Sequence, residues 1–124
     1  MQLLWIVVAG GLGSGSRYLI GTWAVERIGA GFPYGTIIVN LLGCFAIGFA
    51  MQVASASAWS PELRAAVTAG FLGGFTTYSS FNQETMSLFA NGAPGAAAVN
   101  VAITVVGGLA VGWLGLLLAR QIVG

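Results

Sequence analysis

Four long apolar stretches, parted by short runs of turn-forming residues, set the layout of this chain. The first runs from Leu3 to Val25 and opens on Leu3-Leu4-Trp5-Ile6-Val7-Val8-Ala9. Glu26 to Tyr34 interrupts it, with Gly29, Gly31 and Pro33 as breakers. The second, Gly35 to Val53, is wholly uncharged, and Ala54 to Ser60 after it is small and polar. Ser60-Pro61-Glu62 then starts the third stretch as a helix should start, with Ser at the N-cap, Pro at N1 and an acid in the first turn. Asn91-Gly92-Ala93-Pro94-Gly95 is a turn by composition. The fourth stretch runs from Ala96 to Ala119, closed by Arg120, whose charge complements the helix dipole. About 20 apolar residues cross a bilayer, so the pattern predicts an all-α membrane protein. Its single domain, 1–124, has four transmembrane helices over about 3–25, 35–53, 62–90 and 96–119.

The third stretch is unlike the others. Its uncharged run from Ala65 to Gln83 is about 19 residues long, enough to span if helical. Inside it sits Gly70-Phe71-Leu72-Gly73-Gly74-Phe75-Thr76-Thr77-Tyr78-Ser79-Ser80-Phe81. Adjacent glycines followed by β-branched threonines are poor helix formers. A break in the helix is therefore expected here. In a bilayer a break frees backbone groups, each costing several kcal/mol unless protein, water or an ion pairs with it.

Polar positions inside the spans follow a helical spacing. Thr36 and Asn40 are four apart and share a face, as do Asn100, Thr104 and Gly108, a stripe continued by Gly112. An asparagine in mid-membrane either bonds to a neighbouring helix or lines a polar path. The stripe on the fourth span reads equally as a packing seam. Gly11 and Gly15 have the small-xxx-small spacing of closely packed helices. The G-x-G-x-x-G phosphate fingerprint fails, because Ser16 stands where the third glycine is needed. Arg17 has two readings: a functional charge within the span, or a side chain that snorkels to the interface. Both place a cation at the mouth of an aqueous cavity. Glu84, near the far end of the third span, reads as a carboxylate in interfacial water.

Composition narrows the classes. The chain has 124 residues, 57% hydrophobic and 6% charged, where soluble domains carry about a quarter charged. The bases are Arg17, Arg27, Arg64 and Arg120, the acids Glu26, Glu62 and Glu84, and the net charge is +1. No basic patch suits nucleic acid. With no histidine, and with Cys44 alone, neither a metal cluster nor a catalytic constellation has raw material, so the chain is not read as an enzyme. Four spans put both termini on one side. Arg64 and Arg120 fall on that side and Arg27 on the other, so charge gives almost no orientation bias. Such a chain can insert both ways and pair head-to-tail, and pairing also shields polar stripes from lipid.

Three motifs resemble the Fluc/CrcB family of fluoride channels. They are Gly10-x-x-Gly13-x-x-x-Arg17-Tyr18, Gly35-Thr36-x-x-Val39-Asn40-x-x-Gly43, and the Gly70–Phe81 stretch. The resemblance covers length, spans, loops and motif order. It implies an antiparallel, dual-topology homodimer in the plasma membrane, with lipid around it and two pores for fluoride. It implies a structural Na⁺ at the dimer centre, held by the backbone carbonyls of Gly73 and Thr76. Asn40 resembles the pore asparagine, and Thr36, Ser80 and Thr104 resemble hydroxyl donors of a polar track. Phe81 matches one of two pore phenylalanines, while Tyr78 stands in place of the other. Gly108 stands where the family often has a serine. Arg17 resembles a vestibule arginine, and Glu84 a family acid near the pore. Passive fluoride export for fluoride resistance is what this implies. A proton-coupled small multidrug-type exporter would want an acid inside the first span, where only Arg17 is found. A purely structural subunit leaves the expected break and Asn40 unexplained.

Overall fold

A computed structural model describes residues 1–124, and every regular element in it is a helix. In chain order these are α1 (Gln2–Arg27), α2 (Tyr34–Ser57), α3 (Pro61–Ala65), a π-helical stretch (Ala66–Leu72), α4 (Gly73–Phe75), α5 (Tyr78–Ala90), α6 (Pro94–Ala102), a second π-helical stretch (Ile103–Gly107) and α7 (Gly108–Val123). Three helical runs are long and apolar enough to cross a membrane: Gln2–Arg27, Tyr34–Ser57 and Pro94–Val123. The run from Pro61 to Ala90 is interrupted at Thr76 and Thr77, both extended, with φ/ψ of −89°/160° and −152°/111°.

The ends of these helices follow local chemistry. Ser60 Oγ accepts a hydrogen bond from the Leu63 amide at 3.1 Å, and Pro61 takes the first helical position. Gly29 (φ 129°) and Gly92 (φ 81°) turn the chain after α1 and α5, in a region that side chains disfavour. The small, polar stretch after Val53 was expected to be loop. Instead α2 continues to Ser57. Ala54 is buried, and Ser55 returns its hydroxyl to the Met51 carbonyl at 3.0 Å, so these residues keep a helical turn while staying polar outside. Ala58, at φ 51°, ends the helix.

Packing is by backbone approach. α1 lies against the Ala66–Leu72 stretch and α4, α2 lies along α7, and α5 pairs with α6. Gly13 faces the backbone of Phe71 and Phe75 with no room for a Cβ, and Gly74 faces the Gly10 carbonyl in the same way. Across the other seam Gly48 meets Gly112, and Gly115 meets Phe45. A Cβ added at Gly11 or Gly15, both expected at a helix seam, would meet nothing of another segment of this chain within 4 Å. The first-span glycines that bring helices together here are thus Gly10 and Gly13. Most large apolar side chains of α1 point outward, among them Leu12, Tyr18 and Leu19. A single bundle this thin buries few side chains completely; Val39 and Asn100 are the largest.

Candidate functional site

The interruption at Thr76 and Thr77 is held from three directions. In a continuous helix the Thr77 amide would reach the Gly73 carbonyl, and the Ser80 amide would reach that of Thr76. Here the Thr77 N–H donates to Asn40 Oδ1 at 2.8 Å, and the Ser80 N–H donates to Thr77 Oγ1 at 3.2 Å. Both carbonyls therefore lose their helical donors. Asn40 closes a second bond, from Nδ2 to the Thr77 carbonyl at 3.1 Å. Gly43, one turn along α2, has no room for a Cβ against the Thr76 methyl, so α2 can approach the segment only because residue 43 is glycine.

From α1, Arg17 Nε donates to the Gly74 carbonyl at 3.1 Å and Ser14 Oγ to the same oxygen at 3.4 Å. The Leu72 carbonyl closes the last turn before the interruption, accepting the Thr76 amide at 3.0 Å and its hydroxyl at 2.9 Å. Arg17 thus places its charge at the C-terminal end of a helix, where carbonyl dipoles favour a cation.

A cleft of about 910 Å³ opens beside this segment between α1, α2 and α5. Arg17, Thr36, Thr77, Ser80 and Glu84 all line it. Glu84 is half-buried there, not a free interfacial group: Thr36 Oγ1 donates to its Oε1 at 2.6 Å. That bond takes the one proton Thr36 has. Ser80 differs, because its oxygen accepts from Thr77 Oγ1 at 3.1 Å and its own proton stays available. Asn40 lies just under the cleft wall and is 9% exposed.

Tyr78, Phe81 and Thr104 do not line this cleft. The Tyr78 and Phe81 rings stack on one another, 5.9 Å apart and 23° from parallel. Tyr78 stands 77% exposed on the outer face of the single chain. Thr104 sits one turn beyond Asn100 in the Ile103–Gly107 stretch, and its hydroxyl is buried without a partner. Gly108 packs under Cys44, whose Sγ would lie 3.2 Å from an added Cβ. The sequence-predicted residues therefore fall into two groups, one at the cleft and one along α5 and the last helix.

Sequence reasoning passed over Thr77, Ser14 and Thr85. Thr77 was legible in part, since a threonine three residues before Ser80 at a helix start is a capping pattern. Nothing in the spacing singled out Ser14 or Thr85, whose bonds reach another helix 60 and 15 residues away.

Residues 4–116 match the model of the family described as CrcB-like protein, Camphor Resistance (CrcB). A curated relative from Acidobacterium capsulatum is 40% identical over 124 residues, covering 99% of each chain. A second, from Solibacter usitatus, is 46% identical over 122 residues, which are 98% of this chain and 100% of that one. A third, from Citrifermentans bemidjiense, is 44% identical over 122 residues and 98% of both. All three relatives carry the name Fluoride-specific ion channel FluC, which describes a channel and not an enzyme.

Proposed function

The chain belongs to the CrcB-like family, and from that membership we propose a fluoride-selective ion channel that passively exports F⁻ across the cell membrane. It is a multi-pass membrane protein, with three uninterrupted helical runs able to span. The observation that carries the reading is the pinned interruption at Thr76 and Thr77. Asn40 holds the non-helical backbone of Thr77, while Arg17 and the Thr77 hydroxyl bond the helix ends on either side of it, beside a polar cleft. At membrane depth such backbone is tolerated where it is buried in protein or lines a cavity.

Fluoride holds its water tightly, so a path that strips it must offer hydrogen-bond donors along the way without a fixed charge that would trap it. Asn40 has two amide hydrogens and spends one on Thr77. The second is free for the ion, as is the Ser80 hydroxyl. Thr36 becomes a donor to the ion only when Glu84 moves off it. Thr104 offers a further hydroxyl. The Tyr78 and Phe81 rings, stacked nearly parallel, turn electropositive edges in a common direction. Arg17, at the cleft wall, attracts anions toward its mouth. Chloride, being larger, is rejected by a narrow path of this kind.

The working unit is an antiparallel homodimer of oppositely inserted chains. Gly73 is exposed and Thr76 only half-buried in the single chain, so their carbonyls are within a partner's reach. Two carbonyls from each of two chains make four hard oxygen ligands about a two-fold axis, a donor set suited to Na⁺. The residues present fit that ion, because these carbonyls are the ones whose helical donors are redirected. Bound there, Na⁺ would supply positive charge that pairs the freed backbone.

The deciding measurement is anion release from liposomes holding purified protein in sodium buffer. Fluoride should leave and chloride should stay. Equal release of both would end the selectivity claim, and retention of both would end the channel reading.

A further inference from the structure

Asn100 is the one polar side chain buried almost completely, at 1% exposure. Its Nδ2 donates across the helix pair to Thr85 Oγ1 at 2.9 Å, and Thr85 Oγ1 donates in turn to the Phe81 carbonyl at 2.7 Å. A threonine hydroxyl carries a single proton. That proton lies on Phe81, so Asn100 must present its NH₂ to Thr85, and the orientation of the amide is fixed. The other end, Oδ1, can only accept, and nothing in the chain donates to it. An acceptor oxygen is no ligand for an anion. The oxygen end of Asn100 therefore offers nothing to an anion, and its amide end is tied to Thr85.

We propose that Asn100 is a positioning residue: through Thr85 it fixes the turn of α5 that carries Phe81, and so sets the ring on which conduction depends. The inference rests on the channel reading above and deepens it. The hydroxyl bond to a carbonyl four residues back biases the local helix geometry. The Asn100 amide polarises that hydroxyl and ties it to α6. Because Tyr78 stacks on Phe81 one turn earlier, both rings move with the relay. Asn100 Oδ1 and the Thr104 hydroxyl, four residues on, make no bond within the chain, so the Thr85 bond alone anchors the Asn100 side chain.

The test compares Thr85→Val, Thr85→Ser, Asn100→Leu and the double variant Thr85→Val/Asn100→Leu in fluoride-loaded liposomes. The fraction of fluoride released counts vesicles holding a working channel, and the rate constant reports each channel's conduction. Thr85→Val and Asn100→Leu should each slow the rate constant roughly tenfold at an unchanged released fraction. Thr85→Ser, which keeps the hydroxyl, should stay near wild type, and the double variant should be no slower than the slower single one. Thr85→Val at the wild-type rate, Thr85→Ser as slow as Thr85→Val, or a multiplicative loss in the double variant would each overturn the relay. If Asn100→Leu does not fold, the Val and Ser variants decide alone. A wild type that releases no fluoride overturns the channel reading instead. The bond itself is then read from the Asn100 side-chain amide resonance, which Thr85→Val should shift and Thr85→Ser should not.

Discussion

Asn40 grips Thr77 by both backbone groups at once, accepting from its amide at 2.8 Å and donating to its carbonyl at 3.1 Å. A side-chain amide has the donor and acceptor needed to stand in for a missing helical neighbour. This pair joins α2 to the segment where the third helical run loses its own hydrogen bonds.

Asn40→Ala removes both bonds and leaves two part-buried backbone groups of Thr77 without a protein partner, at up to about 1–3 kcal/mol each. Fluoride efflux should vanish, and the melting temperature should fall by several degrees. Phe81→Ile should also abolish efflux, but with little change in melting, since it removes a ring edge and no hydrogen bond. Normal efflux in both variants would show that the conduction path lies elsewhere.

Gly13→Ala and Gly15→Ala, two residues apart, should behave oppositely in thermal melts. At Gly13 a methyl would strike the Phe71 and Phe75 backbone, and overpacking of this kind costs about 1–3 kcal/mol or more. At Gly15 it meets nothing within 4 Å of its own chain, and helix propensity favours alanine by up to about 1 kcal/mol. Gly15→Ala should therefore keep the helicity and melting of wild type. Cross-linking would show whether it weakens the proposed homodimer, as it should if a partner covers that face.

Thr36 and Glu84 act as one unit if the 2.6 Å bond between them matters. Thr36→Val and Glu84→Ala should change the efflux rate, and the two combined should change it no further than the larger single effect. Glu84→Gln keeps an oxygen to accept from Thr36 and should be milder than Glu84→Ala. Additive changes across this cycle would mean that the two residues touch the ion path separately.

Replacing sodium by N-methylglucamine throughout purification and assay should lower thermal stability and slow efflux, with recovery on adding sodium back. The shift should depend on sodium concentration, as for any ligand that binds only the folded state. Stability independent of sodium would remove the ion from the Gly73 and Thr76 carbonyls.

What the sequence disclosed was local. The Ser60-Pro61 start, the breakers at Gly29 and Gly92 and the poor helix formers around Thr76 all act on their own backbone, and pattern alone exposes such effects. Asn40 and Arg17 were visible as polar residues in apolar spans. Their partners were not, because Asn40 to Thr77 and Arg17 to Gly74 are meetings between distant segments that no spacing encodes. Thr36 was read as a donor to the ion for the same reason: its competitor, Glu84, lies 48 residues on. The Gly11–Gly15 motif has the right period for a seam, but period does not say which face meets which neighbour. The two π-helical stretches left no trace in the residue pattern.

The second of those stretches, Ile103–Gly107, separates a part of the last run that adjoins α5 from a part that adjoins α2. Each residue of an ordinary helix advances about 100° around the axis, and a π turn absorbs one residue beyond that count. Winding the same residues there as ordinary α-helix would restore a uniform rod and swing Asn100 by about that angle relative to Gly112 and Gly115. Such a rod could aim at Thr85 or nest on α2, but not both. The wider turn is what lets one continuous segment of this length face two companions on different bearings.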